Sequence, residues 1–202
     1  MSELTLIVGP MFSAKTTGLL MECEWEKDEG TGAIVFKPTI DKRYSVSDVV
    51  SHDGLTASSL GISVHLKSVD WTLTEEDISE LTASGVGLVA VDEAQFFENI
   101  DIVVSELLRA GFNVVCAGLD MDSNGEPFGK MGELLAMADE VYKRKADCAV
   151  CGVECGKTFR KLSAPTYVKG KVLVGGEELY EPRCNKHWTE GMLEWKAWVE
   201  NA

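Results

Sequence analysis

The sequence predicts an α/β protein: a parallel β-sheet flanked by helices, followed by a small cysteine-rich segment. Three observations carry this. Continuous apolar runs alternate with helix-period stretches through the first ~140 residues, as strands buried on both faces require. A glycine turn closing in Lys-Thr follows the first run. Four of the six cysteines fall in the last third, two of them paired at metal-ligand spacing.

Leu4-Thr5-Leu6-Ile7-Val8 reads as the first strand, residues 15–26 as a helix and 33–36 as a second strand. After a polar loop, the acidic turn Thr74-Glu75-Glu76-Asp77 opens a helix over 74–84. Residues 87–91 form a fully apolar strand ending at Asp92-Glu93, and 100–110 are helical in period. A buried strand over 113–117 and a helix over 132–138 complete the series. The texture changes near residues 141–145, dividing the chain into an α/β unit (1–143) and a C-terminal unit (144–202) that closes in a helix over 189–199.

Gly9-Pro10-Met11-Phe12-Ser13-Ala14-Lys15-Thr16 has the layout of a phosphate-binding P-loop. Backbone N–H groups of such a loop surround phosphate oxygens and the helix N-terminus adds partial positive charge. Lys15 would neutralise phosphate, and the Thr16 hydroxyl would hold Mg²⁺. Ala14 stands where the pattern has glycine, so its Cβ is harmless at negative φ and costly at positive φ. Asp92, at the end of an apolar strand, suits Mg²⁺, and Glu93 beside it suits proton acceptance from an attacking hydroxyl. Both would lie beyond the carboxyl ends of the strands, where α/β sheets bind ligands.

Cys148-Ala-Val-Cys151 and Cys184-Asn-Lys-His187 offer three thiolates and an imidazole, a set that suits tetrahedral structural Zn²⁺. Such an ion would replace a core that the segment is too small to build. Cys155 is an alternative to Cys151. Cys23 and Cys116 read as core, and His52 and His65, without ligand spacing, as loop or surface residues.

The net charge of −14 argues against nucleic acid as the main partner, since that affinity rests on cationic groups. No apolar run approaches the roughly 18 residues of a membrane span, and no leader precedes the first strand. The expectation is a cytoplasmic protein, complete from its own start.

These residues together with Lys37-Pro38-Thr39-Ile40-Asp41-Lys42-Arg43-Tyr44, Ser51-His52-Asp53-Gly54, Asp92-Glu93-Ala94-Gln95-Phe96-Phe97 and Gly118-Leu119-Asp120 with Pro127-Phe128-Gly129 resemble the type II thymidine kinases, in order from residue 4 to about 188. The resemblance implies a P-loop NTPase-type domain with a zinc-ribbon and lasso domain. It also implies ATP-dependent phosphorylation of the thymidine 5′-hydroxyl with Mg²⁺, and a homotetramer. By matching position, Glu93 is the general base, Arg43 an arginine near the phosphates, Asp41 a nearby polar contact and Asp92 the Mg²⁺-linked acid. Gly9 to Thr16 and Gln95 belong to the nucleotide site. Met11, Phe96, Leu119 and Tyr180 line the nucleoside pocket, and Lys171, Val172, Leu173, Val174 and Gly175 form the lasso segment that reads the base through its backbone.

Three positions depart from the family. Ala14 replaces a glycine, which bears on rate. Ser123 stands where an aromatic residue closes over the base, and Phe159 takes the place of a threonine; both bear on base choice. A P-loop kinase for another nucleoside, and a zinc-ribbon protein with a non-catalytic P-loop, therefore stand as alternatives.

Overall fold

The computed structural model describes residues 2–28, 30–43, 45, 47–161 and 174–200. Six parallel strands form the central sheet in the order β3-β2-β4-β5-β1-β6. They are β1 (Leu4–Val8), β2 (Gly32–Pro38), β3 (Ser63–Lys67), β4 (Val86–Val91), β5 (Asn113–Gly118) and β6 (Glu140–Lys143). The four central strands, β2, β4, β5 and β1, are the apolar runs legible in the sequence. The two edge strands, β3 and β6, were not anticipated. Their residues are largely polar and exposed, so they carry no continuous apolar run.

Each central strand alternates its side chains between two cores, as the pleat demands. Leu4, Leu6, Val8, Val89, Val91, Val114 and Cys116 face one layer with α2 (Glu75–Ala83), α3 (Ile100–Arg109) and α4 (Met131–Met137). Ile7, Val35, Leu88, Ala90, Val115 and Ala117 face the other, under α1 (Lys15–Asp28) and the segment carrying Val49, Ala57 and Ile62. Cys23 and Cys116 are fully buried in these cores. The acidic turn expected to open a helix does so as a capping box. The Thr74 hydroxyl accepts the Asp77 N–H at 3.1 Å, and Asp77 accepts the Thr74 N–H at 2.9 Å.

Beyond Lys143 the described residues form two short antiparallel pairs and a helix. These are β7 (Ala146–Asp147) with β8 (Glu154–Cys155), β9 (Lys157–Arg160) with β10 (Tyr180–Arg183), and α5 (Asn185–Glu200). The last helix starts four residues earlier than the periodicity suggested, which puts His187 in its first turn. Among the described residues no helix is long and apolar enough to cross a membrane.

Candidate active site

Two strand ends build the site. The loop after β1 and the Asp92-Glu93 pair after β4 meet in one cleft, lined also by Asp41, Arg43, His52 and Leu119. The loop is tightly bent. Gly9 has φ +149°, and a Cβ there would run into the Arg144 carbonyl. Phe12 (φ +63°) and Ala14 (φ +56°) are left-handed without being glycine. The Ser13 hydroxyl and Lys15 Nζ both donate to the Pro10 carbonyl, at 2.8 and 2.7 Å. Burial lowers the Lys15 pKa, while Glu93 and Asp92 oppose the shift.

Thr16 Oγ1 donates to the Asp92 carboxylate at 3.2 Å, joining the two halves of the cleft. Burial, reinforced by the nearby Glu93 and Asp41 carboxylates, pushes Asp92 up to about 7. A hydroxyl and a buried carboxylate of this kind are the donor set for Mg²⁺ beside a P-loop, and a cation there would favour the ionised Asp92.

Glu93 is also left-handed, at φ +53°. Strained residues of this kind persist where surrounding structure holds them. Here Arg43 Nη2 lies 2.5 Å from Glu93 Oε1, and Gln95 Nε2 donates to Glu93 Oε2 at 2.6 Å. Arg43 Nε donates to Asp41 at 2.6 Å, and Asp41 in turn faces the fully buried Lys37 at 3.4 Å. Against desolvation, the charges of Glu93 and Asp41 keep the guanidinium above its ordinary pKa.

Gln95, which the resemblance puts in the nucleotide site, is held by protein partners on both sides. It is 3% exposed and both amide ends are engaged, the oxygen accepting the Leu119 N–H at 3.0 Å. A Cβ on Gly118 would stand 2.5 Å from that oxygen, so any larger residue there would displace the Gln95 amide. Gln95 thus braces Glu93 and the turn at Leu119.

The Cys/His set assembles away from the cleft. Cys148, Cys151, Cys184 and His187 bring their ligand atoms within 4.8 Å of one another. Cys151 and Cys184 sulfurs are 4.0 Å apart, and His187 Nδ1 is 3.5 and 3.3 Å from Cys148 and Cys184. A tetrahedron of Zn–S bonds near 2.3 Å has edges of about 3.8 Å, so the set fits zinc. Desolvation opposes it, but hydrogen bonds from the Cys184, Val150 and Cys151 backbone lower the Cys148 pKa. Cys155 is outside this cluster, and burial pushes its thiol up to about 11. The paired spacing, with Cys151 as ligand, is what the structure brings together.

The thymidine kinase family model matches residues 2–188. The chain belongs to the thymidine kinase family. It is therefore a nucleoside-phosphorylating phosphotransferase, of a family that acts on thymidine and uses ATP.

Within this kinase, Met11 and Leu119 line the cleft, whereas Phe96 packs edge-on against Phe128 at 5.7 Å. Ser123 is half-buried in the loop after β5, and Tyr180 is half-buried at the start of β10. Burial raises the Tyr180 pKa. Val174 is half-buried and Gly175 buried, while Lys171, Val172 and Leu173 lie outside the described residues. Phe159, expected to bear on base choice, is 1% exposed, with the Arg183 guanidinium 3.7 Å from its ring centre, so its ring packs within the small module. Strand alternation turns its neighbour Thr158 toward the P-loop instead, where the Thr158 hydroxyl accepts the Met11 N–H.

Lys37 and His52 also line the cleft, and Thr158 touches its loop. Lys37 ends an apolar strand run, a signal for a buried cation, and donates to the Ser45 and Asp48 carbonyls. His52 is exposed but lines the cleft, its ring edge-on to Phe12 at 5.6 Å.

Proposed function

We propose that this kinase transfers the γ-phosphoryl group of Mg²⁺–ATP to the 5′-hydroxyl of thymidine, yielding dTMP for nucleotide salvage. The carrying observation is the convergence of Lys15, the Thr16–Asp92 pair and the Arg43–Glu93 pair in one cleft. Phosphoryl transfer rests mostly on positioning and charge neutralisation, and these groups supply both. Lys15 exchanges the Pro10 carbonyl for a phosphate oxygen. Thr16 and Asp92 would hold Mg²⁺, and the ion would supply charge neutralisation on the phosphates. Glu93, oriented by Gln95 and Arg43, accepts the hydroxyl proton. Arg43 balances the carboxylate before transfer and faces the phosphoryl charge as it develops.

Met11 and Leu119 form the apolar side of the nucleoside pocket, with Phe96 and Tyr180 nearby and the 171–175 segment reading the base. We assign residues 1–143 to the kinase domain and 144–202 to the zinc and lasso domain, in a cytoplasmic homotetramer. A half-buried serine at position 123, in place of an aromatic cover, favours one second reading: a base preference wider than thymine.

Radiolabelled ATP with each of the four deoxynucleosides separates these readings. Thymidine is expected to be phosphorylated at least tenfold more efficiently than the others. Comparable rates with deoxycytidine would establish the wider preference, and no transfer to any of them would overturn both.

A further inference from the structure

The phosphate loop is tied to the C-terminal module through a buried contact. The Met11 N–H donates to the Thr158 hydroxyl at 3.0 Å, across 147 positions of sequence, and both residues are about 95% buried. Thr158 stands on β9, and its carbonyl accepts the Trp188 indole N–H at 3.1 Å. Trp188 directly follows the cluster residue His187 on α5. Its ring lies 4.4 Å from Lys157 Nζ and packs so closely on Gly125 that a Cβ there would stand 3.2 Å away. His187, Trp188, Thr158 and Met11 therefore form a continuous packed path from the Cys/His cluster to the loop.

The loop has reason to need an outside hold. Phe12 and Ala14 both occupy left-handed conformations that non-glycine residues keep only against a steric penalty. Two of its internal bonds, from Ser13 and Lys15, end on the same Pro10 carbonyl. Nucleotide binding would take the Lys15 bond away. The Met11–Thr158 bond does not depend on Lys15.

We propose that Thr158 is a positioning residue for the phosphate loop: its hydroxyl fixes the Met11 turn, so the folded Cys/His module preforms the cradle for a triphosphate. The consequence for the ligand rests on the nucleotide-binding reading above; the fixing of the loop does not.

Three variants of the full chain test it: Thr158→Val, which keeps the shape without the hydroxyl, Thr158→Ser, which restores it, and Trp188→Phe, which removes only the indole donor. Amide exchange at Met11 and the Kd for the Mg²⁺ complex of the β,γ-imido analogue of ATP are measured for each. Thr158→Val is expected to speed Met11 exchange and weaken the analogue by about three- to tenfold, the worth of one buried hydrogen bond. Thr158→Ser should stay within about twofold of the parent, and Trp188→Phe should fall between the two. Unchanged Met11 exchange in a folded Thr158→Val overturns the proposal, as does a Thr158→Ser variant as impaired as Thr158→Val. If Thr158→Val does not fold, Trp188→Phe decides: parent-like Met11 exchange and Kd overturn the proposal. Failure of the parent to bind the analogue would sink the nucleotide reading alone, because Met11 exchange still reports on the loop.

Discussion

Arg43 Nη2 and Glu93 Oε1 are 2.5 Å apart, which places the expected arginine and the expected base in one ion pair. Asp41 holds the other side of the guanidinium, so Arg43 bridges two carboxylates. Glu93→Gln keeps the size and the hydrogen-bonding reach but removes proton acceptance. Turnover should fall by about 10²–10⁴, the typical worth of a general base, with nucleoside affinity within a few-fold. Retention of more than half of the parent turnover would remove Glu93 from the mechanism.

Asp41 predicts an acid limit to stability. Burial would raise its carboxyl, but the Arg43 hydrogen bonds and charge, with Lys37, outweigh it and hold the pKa below the ordinary 3.8. The unfolded chain then binds the proton more readily, so this stabilisation is complete above about pH 4 and lost as pH falls through the folded value. Asp41→Asn breaks a buried pairing and should cost about 3 kcal/mol at pH 7. Denaturant melts at pH 3 and pH 7 should show a smaller acid loss in Asp41→Asn than in the parent. An equal loss in both would assign the acid limit elsewhere.

Metal analysis should return about one Zn²⁺ per chain in protein purified without chelator, because the Cys148, Cys151, Cys184 and His187 geometry fits the ion. Cys184→Ser, or chelation, should raise amide exchange through β7 to β10 before the central sheet opens, because the ion would serve as that module's core. Cys155→Ser should leave the zinc content unchanged. Zinc lost from Cys155→Ser but retained in Cys151→Ser would reverse the ligand assignment.

Ala14 carries its strain with φ at +56° and its side chain exposed. The left-handed penalty is therefore carried by the folded chain before any phosphate binds. Ala14→Gly should raise stability by up to about 1 kcal/mol, the left-handed penalty less the entropy of glycine. For a chain of this size that is a rise in Tm of about 2–4 °C. The ATP KM should change by less than about twofold. An unchanged Tm with a severalfold lower KM would show instead that Ala14 obstructs phosphate.

The sequence by itself determined the central strands, the helices between them, the loop after β1, the acidic pair and the Cys/His cluster. These features are local. Apolar runs are set by burial on two faces, loop chemistry by adjacent residues, and a Cys-x-x-Cys pair by its own spacing. Tertiary structure alone decided what depends on contacts between distant segments. The edge strands β3 and β6 are polar and gain their strand state from neighbours, not from their own pattern. Gln95 became a brace because Leu119 approaches it, and Phe159 became core because Arg183 and α5 cover it. Thr158 reached Met11 for the same reason. A one-residue difference on a strand reverses the face a side chain presents, and only the packed neighbours settle which face is which.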